Sequence, residues 1–381
     1  WVDDEYYVGG DGAMLVNQWI KTTTDADQAD PDDDGEHWYY FNNKGKKVTD
    51  DKKKINGKTY YFNSDGEMRY GWYAANANDW YYLGGEDEGW RTDAQWLWLD
   101  EPREDDEDND SMPSHTDSCS LCDSEGWYYF QNDGKLYRDN TKKKKINGKY
   151  YYFNEDGQML YEWINTKEST ATPGFVLDDQ NDGANKTATA SDMIYANEVE
   201  DGSRSAGWYE IDGAEDLGND NDTDWYFFKK GEAKKAGAED VQTDSTGATQ
   251  YRKKIKINGK YFCFDQDGKM QTGLQRIANH TYYFDDNGYM KTGKTTADDD
   301  NDDTFTFYFS TKNNDTGKGY DGIKDGYLYA DGQRLEADDD YAVYKYNNLL
   351  YVVNKTGKIQ KSTSKKYELD GGKGYVTVTK I

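Results

Sequence analysis

The stretch INGKTYYFNSDGEMRYGW, residues 55–72, returns as INGKYYYFNEDGQMLYEW from Ile146 and as INGKYFCFDQDGKMQTGL from Ile257. A unit this short cannot enclose a core, so each copy must bury its apolar face against another copy. Asn-Gly after the isoleucine supplies the positive φ angles of a two-residue type I′ turn, and predicts a hairpin closed at that point. Asp-Gly or Asn-Gly in FNSDGEM and FDDNGYM predicts the next corner. The segments between corners, WYYF and TYYFN, are dense in aromatics that favour strands. Period-two alternation puts Trp38 and Tyr40 on one face and Tyr39 and Phe41 on the other. Both faces are then aromatic, and neighbouring hairpins must cover them. No helical periodicity of useful length interrupts this pattern. The chain is predicted to be all-β, a β-solenoid of stacked aromatic hairpins.

The composition fits such a stack. Hydrophobic residues are only 35% of the chain, whereas 35 Tyr and 12 Trp bring the aromatic share to 16%. That inventory cannot build one large aliphatic core, and it is too aromatic for a disordered chain. Methionine marks the register. The motif (D/N)-G-x-M places Met14, Met68, Met159, Met270 and Met290 at one point of five hairpins, where a thioether can pack against rings.

Related hairpins begin at His37 (HWYYFNNKGKK), Gly126 (GWYYFQNDGKL), Asp224 (DWYFFKKGEAK) and Asp79 (DWYYLGGEDEG). Fading copies run through 280–294 and over 305–381. The whole of 1–381 therefore reads as one repeat domain, opening in mid-repeat as a fragment of a larger secreted protein would. Acidic insertions break the repeat at about 21–36, 100–125, 165–205, 212–224 and 295–304. Most end just before an aromatic strand, so they are expected to leave from corresponding edges.

The formal net charge is −28. That field repels nucleic acid phosphates and anionic membrane surfaces, and it suits cations, neutral glycans or Ca²⁺. No run of about 18 apolar residues is present to cross a membrane. Cys119 and Cys122 are close enough for a local disulfide or half a metal site. Without a second cysteine pair, a four-cysteine zinc site is ruled out within this chain. His37, His115 and His280 stand in unrelated contexts, and the chain is read as non-catalytic.

GKTYYFNSDGEMRYGW, with the following DWYYL, resembles the cell-wall-binding repeats of Gram-positive surface proteins. That superfamily includes choline-binding modules, glucan-binding domains and the repeats of large clostridial toxins. The resemblance covers about half the chain and implies a β-solenoid that binds ligands between consecutive hairpins. It further implies a secreted or cell-surface module, joined to an upstream domain and without membrane insertion. In similar choline modules an aromatic cage holds the quaternary ammonium. Trp72 with Trp80 and Trp19 with Trp38 match that arrangement here, and Trp127, Trp163, Tyr61 and Met68 complete the ligand-binding candidates. Thr59, Tyr150, Tyr261 and Leu274 stand where such modules carry tryptophan. On that ground a neutral or host glycan, stacked on Tyr and Trp, is favoured over choline or teichoic acid. A structural spacer is a further alternative. Asp30, Asp32 and Asp34 in DPDDDG, and Asp178 and Asp182 in DDQNDG, open like calcium loops, although Phe41 and Thr189 replace the closing Glu. Calcium bound to the acidic insertions is therefore an expectation, and no other cofactor is implied.

Overall fold

A computed structural model describes residues 1–24, 35–102, 112–113, 123–166, 193–212, 223–244, 246–298 and 303–379, with the backbone alone at 176–177. Among the described residues there is no α-helix. The regular structure is a series of small antiparallel sheets, mostly two- and three-stranded, with two single-turn 3₁₀ segments. The chain forms two compact units, Trp1–Thr187 with Ala196–Arg204 and Ala188–Tyr195 with Ser205–Ile381. In each unit, successive hairpins stack through aromatic clusters in the manner of a β-solenoid.

The turns are those the sequence calls for. Asn56-Gly57, Asn147-Gly148 and Asn258-Gly259 all have positive φ, near 50° at Asn and 85° at Gly. They join Ile55 to Lys58, Ile146 to Lys149 and Ile257 to Lys260 as closing pairs. The Asp-Gly corners have a second device. Asn63 Oδ1 accepts the amides of Asp65 and Glu67 at 3.1 and 2.8 Å. Asn154, Asp265, Asp285 and Asn354 do the same for the amides two and four residues on. The Asn or Asp that ends each aromatic strand thus folds its own turn.

Stacking is registered by a ladder of side chains resting on glycines. A Cβ added at Gly45, Gly89, Gly202, Gly288 or Gly317 would lie within 2.1–2.9 Å of the sulfur or terminal methyl of Met14, Met68, Met159, Met270 or Met290 respectively. Each of these glycines belongs to the hairpin that follows its methionine, and each has positive φ. Where methionine is absent another side chain takes the rung: Lys47 on Gly66, Arg91 on Gly134, Leu136 on Gly157, Ala233 on Gly268 and Arg334 on Gly357. Only glycine offers both the left-handed backbone and the open Cα face.

The aromatic strands are covered on both faces, as their composition requires. Tyr39 and Phe41 are fully buried, and Tyr40 on the opposite face is nearly so. Tyr40 joins Val48, Ile55, Phe62 and Met68 in one cluster, while Tyr39 meets Trp1 edge-on at 4.9 Å. The pattern persists in 305–379, where Tyr341–Tyr346 pairs with Leu349–Asn354 in full register.

Four of the acidic insertions fall between paired strands of single hairpins. Gln18–Thr23 pairs with Glu36–Phe41, Gln95–Asp100 with Glu125–Phe130, and Gly207–Asp212 with Thr223–Lys229. Gly293–Asp298 pairs with Thr304–Phe309 in the same way. Each of these four insertions joins the two strands of one hairpin, whereas 165–205 contains Val176–Leu177 and Ile194–Tyr195, which share a three-stranded sheet with Trp163–Asn165. The equivalent hairpin Trp72–Asn76/Asp79–Tyr82 closes with two residues between its last paired positions.

Candidate functional site

Strand register places the tryptophans. Trp19, Trp96 and Trp208 sit opposite Tyr40, Tyr129 and Phe227, and Trp38, Trp127 and Trp225 lie two residues before those partners. The first pair, Trp19 and Trp38, meets edge to face with ring centroids 6.4 Å apart. Trp208 and Trp225 repeat it at 6.5 Å. In the middle hairpin Trp127 instead meets Trp98, at 5.7 Å and nearly perpendicular. A following hairpin supplies a back wall each time. Tyr60 and Phe62 lie 4.8 and 5.7 Å from Trp19, Tyr151 and Phe153 5.0 and 5.6 Å from Trp96, and Phe262 and Phe264 4.7 and 5.9 Å from Trp208. Three half-buried aromatic corners of one design therefore recur, and all three lie on hairpins extended by acidic insertions.

Carboxylates stand at two of these corners. Trp38 Nε1 donates to Asp87 Oδ1 at 2.9 Å, and Lys21 Nζ donates to Asp87 and Glu86 at 2.8 and 3.0 Å. The hydrogen bond from Lys21, then that from Trp38, hold the Asp87 carboxyl below its ordinary value. Trp98 Nε1 donates to Glu125 Oε2 at 2.9 Å. A corner of ring faces with a carboxylate beside it attracts a cation on both counts.

Other candidates from the sequence lie elsewhere. Trp72 and Trp80 are 6% and 2% exposed, within a core cluster containing Tyr128, Phe130 and Leu136. The Trp72 indole N–H is bonded to the Asp100 carbonyl at 3.0 Å. Trp163 is buried. Tyr61 is buried on the opposite face from Tyr60, against Tyr73 and Tyr81. Met68 is buried beneath the Trp19 corner as a rung of the glycine ladder. Asp30, Asp32, Asp34, Asp178, Asp182, Cys119, Cys122 and His115 lie outside the described residues. Cys263 is buried in the strand Lys260–Phe264, and burial pushes its thiol up to about 12.

Sequence reasoning passed over Tyr60, Trp98, Trp208, Trp225 and Asp87. The alternation in QWLWLD was a signal for Trp98. The likeness of DWYFF to HWYYF was one for Trp225. Nothing local marks Asp87, which reaches Trp38 from the turn of another hairpin.

The family profile described as a choline-binding repeat matches residues 51–93. That described as a putative cell wall binding repeat matches 33–47, 121–136, 144–159 and 272–290. Five segments of the chain thus match choline- and cell-wall-binding repeat profiles. These matches fall on hairpins carrying the type I′ turns, the Asx corners and the glycine ladder. No curated protein matches the chain. Among solved structures, the repeats are similar to choline binding protein F from Streptococcus pneumoniae, at 19% identity, 85% of this chain, 96% of that one and a TM-score of 0.38. CbpJ from the same organism is 18% identical over 90% of this chain and all of its own, with a TM-score of 0.41. The S. pneumoniae modular autolysin LytC is 19% identical over 76% of this chain and 52% of that one, with a TM-score of 0.34.

Proposed function

We propose that the chain is a non-catalytic, extracellular attachment module of the cell surface that holds a choline-bearing wall polymer in its tryptophan corners. The observation that carries this reading is the threefold recurrence of a half-buried tryptophan, Trp19, Trp96 or Trp208, backed by rings of a following hairpin, with a tryptophan pair on the same hairpin. A quaternary ammonium offers no hydrogen-bond donor and is attracted by ring faces within about 6 Å. Asp87, Glu125 and the net charge of −28 add a field of the right sign. The phosphates of such a polymer meet repulsion from that field, so attachment rests on its choline groups. Retention on immobilised choline, with elution by free choline, tests the reading. Passage through the column without retention refutes it.

A neutral glycan is the second reading, supported by Trp98 and Trp225. Their 43% and 41% exposure is more than a small-cation corner needs, and flat rings stack on sugars. Slowed migration in a gel containing α-glucan, unaffected by choline, favours this reading over the first. Calcium in the acidic tips belongs to a spacer reading that needs no wall ligand. EDTA lowers the melting temperature if a bound ion stabilises the fold, and an unchanged melt disposes of it.

A further inference from the structure

One ring in the Trp72–Trp80 core already carries a cation. The guanidinium carbon of Arg138 lies 3.4 Å from the Trp80 ring centroid. Arg138 Nε donates to the Glu155 carbonyl at 3.2 Å and Nη1 to the Ala77 carbonyl at 3.1 Å, while Nη2 stands 3.8 Å from Asp156. Two carbonyls, a carboxylate and an indole face thus fix one guanidinium, whose side chain remains a quarter exposed.

Backbone hydrogen bonds show which residue matches Arg138 at the open corner. The Leu136 amide donates to the Trp80 carbonyl, and the Met68 amide donates to the Trp38 carbonyl, both at 2.8 Å. Trp80 and Trp38 therefore correspond, as do Leu136 and Met68. Two residues farther on, Arg138 corresponds to Tyr70, which is 46% exposed.

We propose that Arg138 is a resident cation that closes the Trp80 face, so that the residue at this position determines which tryptophan hairpins admit a cationic ligand. It takes from the proposed function only the idea that these rings bind cations. Arg138 supplies a guanidinium in the place a small organic cation would occupy, with ring attraction and hydrogen bonds together. Removing it leaves the Trp80 face bordered by two unpaired carbonyls and Asp156, a site for a small organic cation.

The test follows the indole N–H signals of ¹⁵N-labelled chain during titration with choline, with Trp38→Phe and Trp80→Phe assigning the two peaks. In the unsubstituted chain the Trp38 signal is expected to shift and the Trp80 signal to stay. In Arg138→Ala and Arg138→Tyr, the latter introducing the residue type that corresponds in register at position 70, the Trp80 signal is expected to shift saturably. Tyr70→Arg, at a position 46% exposed, is expected to abolish the Trp38 response in chain whose melt shows it folded. A Trp80 signal that stays still in a folded Arg138 variant overturns the proposal. So does a Trp80 signal that already moves in the unsubstituted chain, or an undiminished Trp38 response in Tyr70→Arg. If Trp38 is silent throughout while Trp80 responds in the Arg138 variants, the Trp38 corner is refuted as a choline site and the resident cation stands.

Discussion

The hairpins Gln18–Thr23/Glu36–Phe41 and Trp72–Asn76/Asp79–Tyr82 are written with nearly the same residues. Each has a tryptophan on its first strand and WYY on its second, and each is followed by a rung on a glycine. Yet Trp19 and Trp38 stand half-buried at a corner, and Trp72 and Trp80 are core. What differs is the neighbour. Behind Trp38 comes a turn that offers Asp87 to its N–H; behind Trp80 comes Arg138, which lies across its face. The same motif is an open aromatic corner in one place and a packing element in another. Residues from adjacent hairpins determine which it becomes.

That contrast can be broken most forcefully at Trp80. Trp80→Ala is expected to cost about 3–5 kcal/mol, since it empties a fully packed site. Retention on choline by chain that still folds should be unchanged. Denaturant melts and the choline column read the two halves of this statement. Gly89→Ala comes next, at about 2–4 kcal/mol, because the new methyl meets Met68 and φ there is positive. A melt of that variant within about 0.5 kcal/mol of the parent would remove the ladder from the account. Trp38→Ala is the mirror image of the Trp80 change. Stability should fall by only about 1–2 kcal/mol while most choline retention is lost. The smallest effect concerns Asp87, whose carboxyl is held down by Lys21 and Trp38. A depressed folded-state value means that this contribution is present above the ordinary value of 3.8 and is lost as pH falls through the lower folded value. Acid titration of the Trp38 indole signal should show its transition below pH 3.8, and Asp87→Asn should erase it.

Much of the hairpin fold was legible because its determinants are local. Asn-Gly turns, aromatic alternation and the methionine register each act within a few residues, and the structure has them where the sequence put them. The Asx corners were equally local and went unread, although Asn63, Asn154 and Asp265 all follow their aromatic strands directly. The insertions were expected ahead of aromatic strands. That four of them join the two strands of a single hairpin becomes visible only when pairs such as Trp19 with Tyr40 are formed across them. The site was less legible. Trp72 and Trp80 look like a cage in sequence because their spacing is short. Exposure depends on Tyr128, Phe130 and Arg138, which arrive more than forty residues later. Tyr61 was chosen over Tyr60 because the strand's phase relative to Trp19 depends on the neighbouring hairpin.

The rungs on glycine have a consequence for how such a chain changes over generations. Each rung recognises only the hairpin that follows it, and that hairpin needs only a glycine in the right place to receive it. In the ladder a hairpin can therefore be duplicated or deleted with one rung to heal, although side-chain contacts such as Asp87 to Trp38 and Lys21 reach across an intervening hairpin. No rung named above falls within the four insertions that interrupt single hairpins. Copy number thus becomes an adjustable quantity, and with it the number of tryptophan corners the chain presents. For the polymer attachment proposed above, avidity would rise with each added corner without any single site becoming tighter.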